Sequence, residues 1–291
     1  MIGDMDRVSL PRRCLSAVGW ILVASGLFHL LVWGARGGDW EGPLSWRKPI
    51  LFGFSAGLTA FSMAWIWVWL PPPRSRAAAA GAVLAAAALL AEVALIDLQC
   101  WRGRASHFNH DTALDGAIAD AMNLLIAGVT AFLVWLCVRF FRGTPQRDGE
   151  AMAGDVRLAA RTGLILLVWS CALGFLATWH GERQIAAGRP PELFGAAGVT
   201  KFAHGAVIHA IQWLPAIAWI AARRGLPAGR RGRLVRIGVV GSVLVAVASL
   251  LSVLQGRARF DPSPLPSVLF LAAAGCGIAI LVGLGRRPSA M

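Results

Sequence analysis

A chain of 291 residues that is 57% hydrophobic and only 15% charged is no ordinary soluble domain, where about 45–50% apolar and about 25% charged residues are usual. The formal net charge of +13 would suit a nucleic-acid binder, but the cations sit in short connections between long apolar runs, so no nucleic-acid partner is expected. Five cysteines, Cys14, Cys100, Cys137, Cys171 and Cys276, are scattered singly, which excludes a disulfide framework, a CxxC pair and a haem-attachment motif.

A membrane-spanning helix needs about 20 apolar residues at 1.5 Å rise each. Eight runs meet that length: 14–34, 49–70, 77–98, 113–138, 162–180, 202–222, 235–255 and 265–285. They are too long and too evenly apolar for barrel strands, and backbone groups in hydrocarbon must be satisfied within the segment. The predicted fold class is all-α: a polytopic transmembrane helical bundle of about eight spans, one transmembrane domain over 1–291. The first run is longer than a usual signal-peptide core and lacks a small-x-small cleavage site, so it is read as a helix. Pro71-Pro72-Pro73-Arg74 closes the second span. Gly143-Thr144-Pro145 opens the longest connection, to about Arg161, where a short surface helix is expected. Gly188-Arg189-Pro190-Pro191 breaks the chain after span five, and Asp261-Pro262-Ser263-Pro264 starts the last hairpin. Trp20, Trp33, Trp46, Trp69, Trp101 and Trp179 lie near span ends, as interfacial aromatic belts require.

With the N-terminus inside, the inner connections hold 18 of the 28 basic residues, including Arg7, Arg12, Arg13, Arg139, Arg142 and the run from Arg223 to Arg236. That bias follows the positive-inside rule and predicts a bacterial inner-membrane protein with both termini cytoplasmic. The 223–236 run is then a topology anchor and a contact for anionic lipid. Arg47 to Trp65 rhymes with Lys201 to Trp219, and Leu98-Gln99-Cys100-Trp101-Arg102-Gly103-Arg104 with Leu254-Gln255-Gly256-Arg257-Ala258-Arg259. Residues 1–150 and 151–291 would be repeat halves, parallel because four spans return the chain to its starting side. Chance likeness between apolar sequences is the rival explanation.

The polar residues within the spans crowd into the outer half. At 1.5 Å per residue, Glu92 lies about 10 Å deep, Asp97 about 3 Å, Asp120 about 12 Å, His209 about 12 Å, Gln212 about 16 Å and His29 about 7 Å, with His204 shallow. A charge at mid-bilayer costs about 2.5–3.5 kcal/mol, so such groups are expected to face the bundle interior with partners. Asp120 and Asn123 share a helix face, as do His209 and Gln212, and Glu92 and Gln99. His204 and His209 are five apart, about 140° round one helix, which weakens a zinc pair. Above this layer, Arg47, Lys48, Arg102, Arg104, His107, Asn109, Arg183 and Lys201 form a charged rim. The plainer readings are that His29 is a packing residue, that Asp111 or Thr112 only caps span four, and that the buried set is a structural network.

Arg102-Gly103-Arg104-Ala105-Ser106-His107-Phe108-Asn109 and Lys201-Phe202-Ala203-His204-Gly205-Ala206-Val207-Ile208-His209-Ala210-Ile211-Gln212-Trp213-Leu214-Pro215 resemble segments of bacterial multi-spanning integral membrane proteins of no known activity. The resemblance implies a membrane protein and nothing about chemistry. A comparison with zinc-dependent membrane hydrolases related to alkaline ceramidases fails on their HxxxH pair.

Three functions compete. The first is a buried His/Asp/Glu site open to the periplasm. Glu92, Asp120 and His209 would be its catalytic or metal-holding groups, and His29, His204, His209 and Gln212 its cofactor ligands. The cofactor would be a metal ion or a b-type haem, and the ligand an anionic lipid or quinone beneath the rim. The second is a proton- or cation-coupled transporter of small solutes, since buried carboxyls can load and release protons. The third is a non-catalytic sensor or assembly protein.

Overall fold

The computed structural model describes residues 2–42, 44–71, 75–191, 199–258 and 261–285. Eight helical spans long and apolar enough to cross a membrane run through them. The chain is therefore an all-α, multi-pass membrane protein. It divides into two compact units, Met1–Ala151 and Met152–Met291.

Unit 1 holds α1 (Ile2–Arg36), α2 (Arg47–Trp67), α3 (Arg76–Trp101) and α4 (Ala113–Arg142). Helix α1 packs on α2 and α3, and α3 on α2 and α4. The α1–α2 seam is built on absent side chains. Gly53 and Gly57 stand one turn apart on α2, and a Cβ at Gly53 would lie 2.7 Å from Gly26 Cα. At Gly57 it would lie 2.8 Å from Val23 Cγ2. Lipid tails are as apolar as leucine, so helices in a bilayer associate by close packing, and small residues let backbones touch.

After α4 the chain makes a hairpin of β1 (Gln146–Arg147) and β2 (Glu150–Ala151), with Gln146 opposite Ala151. Asp148 and Gly149 turn it at φ 53° and 83°, the paired left-handed conformations of a tight hairpin turn. The surface helix expected between 143 and 161 is thus replaced by this hairpin and by α5 (Gly154–Ala186), which starts well before residue 162.

Unit 2 continues with α6 (Lys201–Val207), α7 (Ala210–Arg223), α8 (Ala228–Leu254) and α9 (Pro264–Gly285). The continuous span expected over 202–222 is broken at Ile208 and His209. Pro215 cannot donate to Ile211 O and crowds that carbonyl, which weakens the turn before it. The helix restarts at His209, whose carbonyl accepts from Gln212 N at 3.1 Å and Trp213 N at 3.2 Å. A Cβ on Gly163 of α5 would lie 2.5 Å from Ile211 Cα, so α5 presses against α7 just after the break. Helix α5 packs on α6, α7 and α8, and α8 on α9.

The third span of each unit, α3 and α8, ends in the same cap, which α5 and α7 also use at Gly188 and Gly225. Gly103 donates to Cys100 O and Arg104 to Gln99 O, at 3.0 and 2.9 Å. Gly256 donates to Val253 O and Arg257 to Ser252 O, both at 2.9 Å. Both glycines are left-handed, at φ 66° and 69°, which only a residue without Cβ adopts freely. The caps align Gly103 with Gly256, three residues off the register in which Gln99 matches Gln255.

Candidate functional site

The polar residues of unit 1 gather at the end where α1 stops, α2 starts and α3 turns into α4. His29 of α1 is buried there. Its Nδ1 lies 2.9 Å from Ser25 O. A carbonyl only accepts, so Nδ1 carries the proton and Nε2 accepts from Trp101 Nε1, at 3.0 Å. Phe28, Trp46 and Trp101 surround the ring. Both nitrogens are spent, which leaves neither for a haem iron. Ser25 Oγ donates to Asp97 Oδ2 at 2.8 Å. The other oxygen, Asp97 Oδ1, is buried with no hydrogen bond; His29 Nδ1, 4.0 Å away, is too far to make one.

Across α3 lies a second network. Asp115, fully buried in the first turn of α4, accepts at Oδ1 from Gln99 Nε2 at 3.0 Å and Arg102 Nη1 at 2.9 Å. Its Oδ2 accepts from Thr112 Oγ1 at 2.8 Å, and its backbone N–H returns to Thr112 Oγ1 at 3.1 Å. Thr112 is thus the N-cap of α4, and Arg102 also donates to Gln99 Oε1. Between the networks, Lys48 Nζ donates to Ser106 Oγ at 3.3 Å, and Ser106 Oγ meets His107 Nδ1 at 3.0 Å.

The remaining rim residues hold loops. Arg47 pairs with Glu41 at 2.6 Å, and Arg104 approaches Asp111 at 3.9 Å, exposed contacts of little energetic worth. Asn109 is buried and shapes its loop by donating to Ala105 O at 2.9 Å and accepting from Asp111 N at 3.1 Å.

The Gln99–Asp115 bond sets the register of the antiparallel helices α3 and α4. Ile96 and Ile118, three residues farther in on each, cluster with Met122. Seven residues in, about 10 Å, Glu92 and Met122 share a level. Glu92 is 4% exposed, and its Oε2 has no hydrogen-bond partner. Glu92 and Asp97 are five residues apart, so they face different sides of α3: Glu92 shares the Gln99 face toward α4, and Asp97 the face toward α1.

Asp120, expected in the buried layer, lies exposed on α4. The buried stripe of α4 is Asp115, Ile118, Ala119 and Met122, and Asp120 is about 140° round the helix from Asp115. His209 belongs to unit 2. Among the described residues no three His, Cys, Asp or Glu side chains come together as a metal set.

In unit 2, His204 Nδ1 donates to Ser170 O at 2.7 Å, while Ser170 Oγ donates to His204 O at 2.8 Å. Gly174 leaves room for the ring, since a Cβ there would lie 3.0 Å from Nδ1. His204 therefore clasps α6 to α5. Beyond the break, His209 Nδ1 donates to Gln212 Oε1 at 3.2 Å. Arg183 stacks over Trp179 at 4.9 Å, and Lys201 begins α6. A cavity of about 330 Å³ lies between α6, α7, α8 and α9, lined by Ala206, Trp213, Phe270, Cys276 and their neighbours. Ser242, on its wall, gives its hydroxyl to Gly238 O at 3.0 Å, so the cavity suits hydrocarbon better than a polar solute.

Sequence reasoning gave no role to Ser25, Thr130 or Asp115. Ser25 stands one turn before His29, and that spacing was the available signal. No protein-family model matches this chain, and neither a curated protein nor a solved structure shows significant similarity to it; the geometry of unit 1 is what points to a function.

Proposed function

We propose that the protein handles protons in a bacterial inner membrane, with both termini cytoplasmic, and that unit 1 loads them from the periplasmic side at Asp97 and Glu92. One observation carries the reading. Two carboxyls on a single membrane helix each keep a buried oxygen without a hydrogen-bond partner. An unpaired carboxylate in apolar surroundings is costly, so in the working protein these oxygens are met by a proton, by water or by a cation. The sparse ligand set among the described residues favours the proton over a metal ion, which wants several donors at once. Asp97 stands near the mouth, with Ser25 and His29. Glu92 stands deeper, inward of Ile96 and Ile118 and level with Met122. In the same reading 1–150 and 151–291 are parallel repeats, supported by the division of the chain into two compact units at Ala151.

The test is proton flux into vesicles that hold a pH-sensitive dye and the reconstituted protein. Glu92→Gln and Asp97→Asn each keep shape and remove the acid, and each is expected to slow flux by about tenfold or more while the protein stays monodisperse. Flux unchanged in both variants would sink the proposal.

A further inference from the structure

We infer that the polar route does not end at Glu92 but continues inward to the hydroxyl of Thr130 on α4, which makes unit 1 a through-path for protons and not a one-sided binding site. The inference rests on the proton reading above and extends it to a residue with no role so far.

Thr130 is unusual within its own chain. A hydroxyl in a membrane helix ordinarily bonds a carbonyl one turn back. Thr59 does so to Ser55 O at 2.9 Å, Ser62 to Leu58 O at 2.8 Å, Ser242 to Gly238 O and Ser252 to Ala248 O, both at 3.0 Å. Thr130 Oγ1 is buried and makes no such bond. A hydroxyl that forgoes the carbonyl within its reach is oriented toward something else.

Its position fits a route. Asn123 and Thr130 are seven residues apart, so they lie on one stripe of α4, about 10 Å along the membrane normal. Glu92 is level with Met122, next to Asn123 in sequence, so Thr130 lies about 12 Å farther in than Glu92. The order of polar groups is then Asp97, Glu92, Asn123 and Thr130. Arg139, the next cation along α4, is nine residues beyond Thr130 and about 180° round the helix, off the stripe. The gaps exceed a direct hydrogen bond and need bridging water, for which carboxyl, amide and hydroxyl are suitable partners. The hops run between carboxyl, hydroxyl and bridging water, each breaking one O–H bond and making one, while the Asn123 amide only hydrogen-bonds the water beside it; every group is regenerated and no oxidant or cofactor is consumed.

The experiment is dye-reported flux in vesicles, combined with labelling of Glu92 by dicyclohexylcarbodiimide read by mass spectrometry. Thr130→Val should cut flux by about tenfold and leave Glu92 labelling as in the native protein. Thr130→Ser, which keeps a hydroxyl, should restore flux; if the valine variant does not purify, Thr130→Ala replaces it. Native flux in Thr130→Val, or equal loss in the valine and serine variants, overturns the inference. The proton reading itself falls on a different result, native flux in both Glu92→Gln and Asp97→Asn.

Discussion

Gly53→Leu is expected to abolish the folded first unit, while Gly53→Ala leaves it folded but weakened. The atoms that a side chain at Gly53 would strike are backbone: Gly26 Cα and N at 2.7 Å and Leu22 O at 2.9 Å. Backbone cannot swing aside as the end of a side chain can, so α1 and α2 must separate along their length. Added methylenes in a packed interior cost about 1–3 kcal/mol, and separation also forfeits the dispersion contacts that hold membrane helices together. Alanine adds one carbon; leucine adds four and forces the neighbouring Gly57 seam open as well. Size-exclusion profile and thermal unfolding in detergent give the answer. Gly53→Ala should stay monodisperse with a lowered Tm, and Gly53→Leu should aggregate. Gly128→Leu is the control, because nothing lies within 4 Å of a Cβ there. If Gly53→Leu behaves like Gly128→Leu, the seam is not held by backbone contact.

The spans were legible because bilayer thickness fixes their length, and that requirement is written in composition. Their ends were less so: α5 runs from Gly154, and α3 to Trp101, because polar and aromatic residues continue a helix past the hydrocarbon at little cost. The break at Ile208 and His209 was hidden in an unbroken apolar run, with Pro215 as its one sign. The Asp148-Gly149 hairpin had a direct signal in its turn dipeptide, which length and hydropathy do not weigh. In the site, spacing worked where one helix decides. Glu92 and Gln99, seven apart, do share the buried face of α3. It failed for Asp120, because which face of α4 turns inward depends on a bond from Asp115 to another helix. His29 and His204 were seen as ligands, yet each is bound to a backbone carbonyl on Ser25 or Ser170; sequence shows an imidazole but not its hydrogen bonds. The unmatched oxygens of Asp97, Glu92 and Thr130 could not be read at all, since having no partner is a property of three dimensions.

Asp115→Ala is expected to lower Tm by roughly 5–10 °C and, in vesicles, to raise proton leak. The carboxylate is completely buried, and alanine would leave Gln99 Nε2, the Arg102 guanidinium and Thr112 Oγ1 without their acceptor. Losing a fully buried acceptor shared by three donors is a damaging single change, because Gln99 Nε2 and Thr112 Oγ1 are left unsatisfied inside, while Arg102, 30% exposed, can turn to solvent. Asp115→Asn should be milder: one oxygen still accepts from Gln99 and Arg102, and the Thr112 hydroxyl can rotate to accept from the new amide. The leak follows from register. The Asp115 bonds hold the first turn of α4 against the end of α3, and Ile96, Ile118 and Met122 close over Glu92 only while that register holds. With Asp115 gone, α4 can shift and water can pass the apolar cluster. The leak should then need Glu92, so the double variant Asp115→Ala/Glu92→Gln should lose it while keeping the lowered Tm. A leak that persists in the double variant would mean that protons bypass Glu92, and a destabilised protein with no leak would mean that Ile96, Ile118 and Met122 do not guard it.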